Sequence, residues 1–329
     1  MANENGANEN GITVTGDSPA TVEKAGAMLR AGALVSFPTE TVYGLGADAT
    51  NGQAVARIFE AKKRPSFNPL IVHVADDEAA RRIAIFDARA DIIAATLWPG
   101  PLTLILPKAP GSGLSDLVTA GLDTVAIRVP DHDLARAILK AAGVPVAAPS
   151  ANPSGRISPT APQHVATGLG TAVDLIVAGG RTRVGIESTI LDLSGHQARL
   201  LRPGAVLPEE IESLIGPIDR ADPGKADQDR PRAPGQLRSH YAPRAPVRLN
   251  ARTAHDGEVL ITFGPDLRQG DGVINLSETG DPVEAAANLF AALARADRPG
   301  ITGIAVSPIP EDGIGAAIND RLRRAAAPR

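Results

Sequence analysis

The chain has 329 residues, of which 43% are hydrophobic and 3% aromatic, and it contains no cysteine. At about 150 residues per domain this length predicts two domains, and the missing thiols exclude disulfides, zinc–thiolate sites and a cysteine nucleophile. The net charge of −4, from 33 Lys and Arg against 37 Asp and Glu, argues against a protein that coats nucleic acid. No apolar run is long enough for a membrane span, so we expect a cytoplasmic protein without a membrane partner.

Residues 1–12 repeat the polar pentad Ala-Asn-Glu-Asn-Gly, which predicts a disordered tail. Strand and helix patterns then alternate as far as residue 206, and such alternation is typical of an α/β fold. The predicted strands are 33–37, 69–74, 102–106, 124–129, 144–148 and 190–193. The predicted helices are 22–30, which Thr21 would cap, 52–62, 77–84, 88–97 and 131–142.

Polar loops repeatedly follow the apolar strands. The clearest are 39–46, 149–158, 185–190 and 201–204, which carry hydroxyl groups, amides, glycines and arginines. Each of them alone could be an ordinary turn, but α/β folds place their ligands at strand ends. The chain has neither G-x-G-x-x-G after its first predicted strand nor G-x-x-x-x-G-K-[ST], so separated side chains would have to hold any nucleotide phosphates.

The stretch 62–73 is the most informative loop. Lys62, Lys63 and Arg64 end a predicted helix, two prolines then stiffen the chain, and a short apolar strand leads to His73. A stiff basic loop suits phosphate, although cations are also favoured at a solvated helix end, and the stretch by itself leaves both interpretations open.

Residues 207–246 are predicted to be a linker, which begins with a helix at 207–215 and is rich in Pro, Gly and charged residues. It contains the unusual pair His240-Tyr241, and we hypothesise that it acts as a lid over a cleft. Residues 247–329 predict a small α/β domain, in which Arg321 is expected to be a surface or capping group.

Taken together, the ordered motifs resemble the YrdC-like family in its long, two-domain form, the threonylcarbamoyl-AMP synthases. The motifs are Phe-Pro-Thr-Glu-Thr-Val-Tyr-Gly-Leu at 37–45, Lys-x-Arg at 62–64, Asn-Pro-Leu at 68–70 with His73, Ser-x-Asn at 150–152, Glu-Ser-Thr at 187–189, Arg-Pro-Gly at 202–204 and His-Tyr-Ala-Pro at 240–243. The resemblance implies a twisted mixed sheet flanked by helices over 13–206 and a small Rossmann-like α/β domain at the C-terminus.

The resemblance also implies an activity. L-threonine, bicarbonate and ATP, with Mg²⁺ accompanying ATP, would give threonylcarbamoyl-AMP and pyrophosphate. The product would pass to the machinery that forms threonylcarbamoyladenosine in tRNA, with at most a weak contact to RNA. No metal site made by the protein itself is expected.

Site residues follow from the same resemblance. Lys62 and Arg64 would be catalytic by neutralising the triphosphate. The expected ATP contacts are Arg64, Asn68, Thr124, Ser150, Asn152, Ser158, Arg202 and Tyr241. The expected L-threonine contacts are Thr41, His73, Arg128, Ser188 and the backbone of Ala148, with Arg128 as the partner of the carboxylate.

Several alternatives remain open. His73 could be a core histidine with its hydrogen bonds satisfied, and Glu40 and Glu187 are expected to accept from loop amides rather than to bind substrate. Gln236 stands where the family often has methionine, and 217–233 is unusually long and charged, which weakens the case for Tyr241. The competing functions are an RNA- or ribosome-binding module and a carbamoyltransferase that acts on another acceptor.

Overall fold

The chain folds into two β-sheets with helices packed against them. The structure is a computed structural model that describes residues 13–220, 233–235, 238–265, 270 and 272–328. None of the helices among these residues is long and apolar enough to cross a membrane. The predicted tail at 1–12, the linker residues 221–232 and Gln236 lie outside the described residues.

The larger sheet contains eleven strands in mixed orientation. In chain order they are β1 (Val14–Thr15), β2 (Val35–Pro38), β3 (Tyr43–Asp48), β4 (Ile71–His73), β5 (Leu102–Pro107), β6 (Thr124–Arg128), β7 (Val146–Ala147), β8 (Leu175–Val177), β9 (Thr189–Asp192), β10 (Arg199–Arg202) and β11 (Asp219–Arg220). Across the sheet their order is β1-β8-β2-β3-β7-β4-β6-β5-β9-β10-β11. The predicted mixed sheet is therefore confirmed.

Helices pack on this sheet through their small and aliphatic residues. They are α1 (Pro19–Arg30), α2 (Gly52–Lys62), α3 (Asp77–Arg81), α4 (Ala88–Leu97), α5 (Asp116–Thr119), α6 (Asp133–Ala142), α7 (Pro162–Leu169), followed by a 3₁₀ turn (Gly170–Ala172), and α8 (Pro208–Ile215). Asn51, Asp76 and Asp87 cap α2, α3 and α4, because each side chain accepts from a backbone N–H of the first helical turn.

The second sheet has four parallel strands. They are β12 (Val247–Arg248), β13 (Glu258–Thr262), β14 (Val273–Asn275) and β15 (Gly303–Val306), in the order β12-β15-β13-β14. Its helices are α9 (Pro282–Ala296) and α10 (Gly315–Ala326). This parallel sheet with its helices confirms the predicted small α/β domain.

Two details of the sequence prediction are wrong. Helix α1 begins after Ser18 rather than Thr21, because Pro19 suits the first helical position and the Ser18 hydroxyl accepts from the Thr21 amide. The predicted loop at 39–46 becomes strand β3 from Tyr43 onward. Gly46 gives close packing there instead of a turn, since a Cβ atom on it would lie 2.7 Å from the Phe37 ring.

Further elements were not predicted. They include α5, α7, β1, β8, β10, β11 and β12, most of them short. Helix α8 and strand β11 lie within the segment predicted to be a linker, and β11 pairs with β10 of the larger sheet. The larger sheet therefore reaches beyond residue 206.

Candidate active site

Nine of the predicted site residues line one cavity beside the central strands. His73 of β4 is in register with Arg128 of the parallel strand β6, and β7 runs antiparallel on the other side of β4. The empty space in the cavity, together with the solvent at its open mouth, amounts to about 530 Å³. The predicted residues that line it are Thr41, Arg64, His73, Arg128, Ala148, Ser150, Ser188, Arg202 and Tyr241.

Arg64 supplies a fixed cation next to the basic loop. Lys63 ends α2 in the left-handed conformation, with φ of 50°, so the chain turns; Lys63 is exposed and Arg64 is buried. The Arg64 guanidinium donates to the carbonyls of Asn68 (3.3 Å) and Pro69 (2.9 Å). Burial lowers the pKa of Arg64 to about 10, so it still carries its charge at neutral pH. Of the three cations at 62–64, only Lys63 agrees with the interpretation of this stretch as a solvated helix end.

Lys62 lies behind the cavity wall. Its side chain is 1% exposed, and its ammonium donates to the carbonyl oxygens of Ser150 and Asn152. Burial, and then the nearby charge of Arg64, holds the pKa of Lys62 well below its usual range. The ammonium therefore ties the basic helix end to the 150–152 loop, and its action on a triphosphate stays a prediction.

Four other predicted residues do not line the cavity. Asn68 is fully buried, and neither polar atom of its side chain has a partner among the described residues. The Asn152 amide donates to two carbonyls of its own loop, and the Ser158 hydroxyl donates to Glu187. Thr124 is half-buried at the start of β6. Since an unpaired buried polar group costs about 1–3 kcal/mol, Asn68 has the most to gain from a ligand.

Arg128 is buried between two acceptors and a carboxylate. It donates to the hydroxyl of Thr41 (2.8 Å) and to the carbonyl of Gly100 (3.2 Å). Its Nη2 lies 2.6 Å from Glu40 Oε2 in a buried ion pair, although the two groups are not aligned as a hydrogen bond. The sequence analysis expected Glu40 to accept from loop amides. Its carboxylate instead compensates the positive charge of Arg128.

His73 is neutral at the pH of a cell. Burial, and then the charge of Arg128, lowers its pKa to about 3. The ring lines the cavity and its Nδ1 atom has no partner among the described residues. The alternative of a core histidine with satisfied hydrogen bonds does not fit this free ring nitrogen.

Arg202 and Ser188 form another part of the cavity wall. Arg202 donates through Nε to the Ser188 carbonyl (3.0 Å) and through Nη2 to the Ser188 hydroxyl (3.1 Å). The same hydroxyl is 2.7 Å from the hydroxyl of Thr103 on β5. Burial lowers the pKa of Arg202. This network fixes the loop before β9 against the end of β10.

The segment with the His-Tyr pair closes one side of the cavity. Tyr241 has φ of +62° and is 1% exposed, and its hydroxyl has no partner among the described residues. Its ring packs on His240 at 4.2 Å and on Phe290 of α9 at 5.5 Å between ring centres. Burial, and then the cations Arg64 and Lys62, hold the pKa of His240 well below its usual range, so His240 is neutral too.

Arg321 is not the surface or capping group that the sequence analysis expected. It is fully buried, and its Nε lies 3.1 Å from Glu187 Oε2. Glu187 also lines the cavity. Its carboxylate therefore pairs with a guanidinium and a serine hydroxyl, in place of the loop amides that were expected.

Comparison with known proteins covers both parts of the chain. Residues 27–204 match the family model described as "Telomere recombination", and residues 206–327 match "Threonylcarbamoyl-AMP synthase, C-terminal domain". The threonylcarbamoyl-AMP synthase of Pyrococcus abyssi is 43% identical over 93% of this chain and 94% of its own length. The chain belongs to the threonylcarbamoyl-AMP synthase family.

Other members agree with this assignment. The threonylcarbamoyl-AMP synthase of Bacillus subtilis is 43% identical over 94% of this chain and 93% of its own. The solved structure of P. abyssi Sua5 complexed with L-threonine superposes with a TM-score of 0.88 at 40% identity, covering 96% of this chain and 97% of that one. The long, two-domain form of the family predicted from the sequence is thus confirmed.

Further residues line the cavity of this threonylcarbamoyl-AMP synthase family member, and the sequence analysis did not include them among the site residues. They are Thr39, Val42, Gly44, Ile71, Pro149, Glu187, Pro234, Gly235 and His240. Most contribute backbone or apolar surface, for which residue type gives no chemical signal. The exceptions are Glu187 and His240, whose motifs were recognised although neither residue was assigned to a substrate.

Proposed function

We propose that the chain is an L-threonylcarbamoyladenylate synthase, a nucleotidyltransferase that makes threonylcarbamoyl-AMP and pyrophosphate from L-threonine, bicarbonate and ATP. The observation that carries the proposal is that three buried guanidinium groups, those of Arg64, Arg128 and Arg202, line one cavity. ATP and bicarbonate are anions and threonine brings a carboxylate, so these cations suit all three substrates. The family relatives named threonylcarbamoyl-AMP synthase support the same activity.

In this proposal L-threonine lies against Arg128. Thr41 and Gly100 orient the guanidinium from one side, which leaves it fixed for a carboxylate. The neutral ring of His73 offers a hydrogen bond without adding a charge. Ser188 and the backbone of Ala148 complete this end of the cavity. The complex of the P. abyssi relative with L-threonine supports threonine as a ligand of this fold.

ATP takes the other end, against Arg64 and Arg202. Ser150 also lines the cavity, and Asn68 has both amide atoms without a partner among the described residues. Tyr241 offers a ring and a free hydroxyl. Lys62 acts from behind the 150–152 loop, as a point charge close to the phosphates.

The chemistry is mainly positioning and charge stabilisation. The threonine amine and bicarbonate give a carbamate and water, and the carbamate oxygen then attacks the α-phosphorus of ATP. The bond from the α-phosphorus to the bridging oxygen breaks, and pyrophosphate leaves with the electron pair. Fixed guanidinium groups stabilise charge on the phosphoryl oxygens, so no covalent nucleophile is needed.

Mg²⁺ accompanies ATP in the proposal. The residues described by the structure include no group of three or more His, Asp or Glu side chains that could hold a metal ion. The carboxylates near the cavity, Glu40 and Glu187, are already paired with arginines. This donor set suits an ion held by triphosphate oxygens and water, which is how Mg²⁺ commonly binds with nucleotides.

The cellular role follows from the product. Threonylcarbamoyl-AMP is an activated mixed anhydride, and we place its use in the formation of threonylcarbamoyladenosine in tRNA, in the cytoplasm. The transferase machinery for tRNA would take the product, and any contact of this chain with RNA would be weak, since the net charge is −4.

The test is the release of pyrophosphate from ATP by the full chain. We expect release to require both L-threonine and bicarbonate, with threonylcarbamoyl-AMP appearing in equal amount by mass spectrometry. Release that needs neither substrate would refute the proposal, as would tight RNA binding at physiological salt without any release. Carbamoyl transfer from another donor would instead favour the carbamoyltransferase alternative.

A further inference from the structure

A guanidinium from the C-terminal domain reaches the wall of the cavity. Arg321 on α10 is fully buried. Its Nε and Nη2 donate to Oε2 and to the carbonyl of Glu187, at 3.1 and 3.2 Å, and its Nη1 donates to the carbonyl of Pro203 at 2.7 Å. Asp320 holds the same Nη1 at 3.1 Å. The fork of one arginine thus joins the loops that carry Ser188 and Arg202.

Packing around Arg321 also connects the two domains. Val42, Ile186 and Tyr241 belong to the same hydrophobic cluster as the core of the C-terminal domain. The Arg321 guanidinium carbon lies 5.6 Å from the centre of the Tyr241 ring. Next to Glu187, the backbone of Gly185 approaches α9 so closely that an added Cβ would lie 2.5 Å from Ala287 Cα. The 185–188 loop is therefore held by the C-terminal domain.

The contact between Arg321 and Glu187 compensates a negative charge in the wall of the cavity. Glu187 is 6% exposed and lines a cavity proposed to receive three groups with negative charge. An unpaired carboxylate in such a wall would repel them strongly, because low dielectric screens charges poorly. The carboxylate of Glu40, near the cavity, likewise lies beside an arginine, since Arg128 Nη2 is 2.6 Å from its Oε2. Both glutamates are thus compensated by a buried guanidinium.

We infer that Arg321 is a positioning residue for the reaction, which neutralises Glu187 and fixes the loop of Ser188 against substrate. The inference rests on the proposed function, since it concerns the binding of that reaction's anionic substrates. It assigns to the C-terminal domain a direct part in completing the catalytic cavity. Arg321 acts through the groups that it contacts, chiefly Glu187 and Pro203, and touches no reacting atom.

The experiment compares three variants of the full chain at a temperature at which each is folded by circular dichroism. In Arg321→Gln we expect KM for L-threonine to rise about tenfold while kcat changes less than about threefold, because binding is lost more than chemistry. Arg323→Gln is the matched control, since this arginine lies on the same helix but its pair with Glu311 is exposed. The control should keep the wild-type constants.

The double variant Glu187→Gln/Arg321→Gln separates charge from scaffolding. Removing the unpaired carboxylate should lower KM for L-threonine at least about threefold relative to Arg321→Gln. If Arg321 had only a structural role, its replacement would change the melting temperature, and the additional Glu187→Gln substitution would not lower KM for L-threonine. An unchanged KM in folded Arg321→Gln, or a double variant no better than the single one, would overturn the inference.

Arg321→Lys takes the place of Arg321→Gln if the latter does not fold. A lysine keeps the charge but cannot reach Glu187 and Pro203 in the fork geometry, so KM for L-threonine should rise by about three- to tenfold. An unchanged KM in that variant would equally overturn the inference. Wild-type protein that releases no pyrophosphate would refute the proposed function and with it this inference. An active wild type whose KM for L-threonine does not change when Arg321 is replaced would refute the inference alone.

Discussion

Replacing Arg128 by alanine tests the division of the cavity into a threonine end and a nucleotide end. Arg128 makes its contacts to Thr41, Gly100 and Glu40, and our proposal assigns this part of the cavity to L-threonine. The variant should therefore weaken the use of L-threonine far more than the use of ATP.

The size of the effect has two parts. Loss of a charge-assisted hydrogen bond to the threonine carboxylate costs about 1.5–3 kcal/mol, which is roughly 10- to 150-fold in KM. The second part concerns folding: the Glu40 carboxylate has no hydrogen-bond partner among the described residues and would be left as a buried unpaired charge. Breaking a buried pair in this way destabilises a protein by about 3–5 kcal/mol.

A second substitution separates the two parts. In Arg128→Ala/Glu40→Gln the unpaired carboxylate is gone, so the melting temperature should recover in part while the threonine KM stays high. Arg183→Ala is the control, because its pair with Asp131 is exposed and worth little.

The assay is the initial rate of pyrophosphate release, with L-threonine varied at saturating ATP and then ATP varied at saturating L-threonine. Equal increases of both KM values in folded Arg128→Ala would remove Arg128 from the carboxylate role. A threonine KM that recovers together with stability in the double variant would show that the effect came from the buried charge of Glu40.

Three further predictions follow from buried groups. Lys62→Met should lower turnover about ten- to a hundredfold by removing the charge behind the 150–152 loop, whereas the exposed Lys63→Met should not, as measured by kcat for pyrophosphate release. Gly235→Ala should raise KM for ATP, because its Cβ would lie 2.7 Å from the hydroxyl of Tyr241. Gly216→Ala, with a similar φ (+81° against +82°) and open space around it, should only cost about 1–3 kcal/mol of stability, as measured by urea unfolding. His73 has a folded pKa of about 3 against 6.5 unfolded, so below pH 6.5 the unfolded chain binds the extra proton and stability falls toward pH 3; His73→Gln should flatten this slope in urea titrations between pH 7 and 5.

Each of these has a clear contrary result. Equal kcat losses at both lysines would mean that the effect is one of general surface charge. Identical behaviour of the two glycine variants would show that backbone strain alone matters. An unchanged pH slope without His73 would mean that the depressed pKa of this residue does not govern the acid sensitivity of the fold.

The sequence alone determined the larger features of this protein. Alternating apolar patterns with polar loops at strand ends require a sheet with helices, since period-2 and period-3.6 patterns bury different faces. The order of short motifs, from Phe37-Pro38 to His240-Tyr241, led to the family because it resembles the motif order of that family.

The tertiary structure decided which of the charged residues face the cavity. Lys62 and Lys63 are neighbours of identical type, yet Lys62 lies on the buried face of α2, whereas Lys63 ends the helix in the left-handed conformation and is exposed. Helical spacing from Ile318 and Leu322 places Arg321 on a buried face, but its partner Glu187 is 134 residues away in the chain. A pattern in sequence reports the environment of one element, whereas pairing of a buried charge depends on two elements that meet only in the folded molecule.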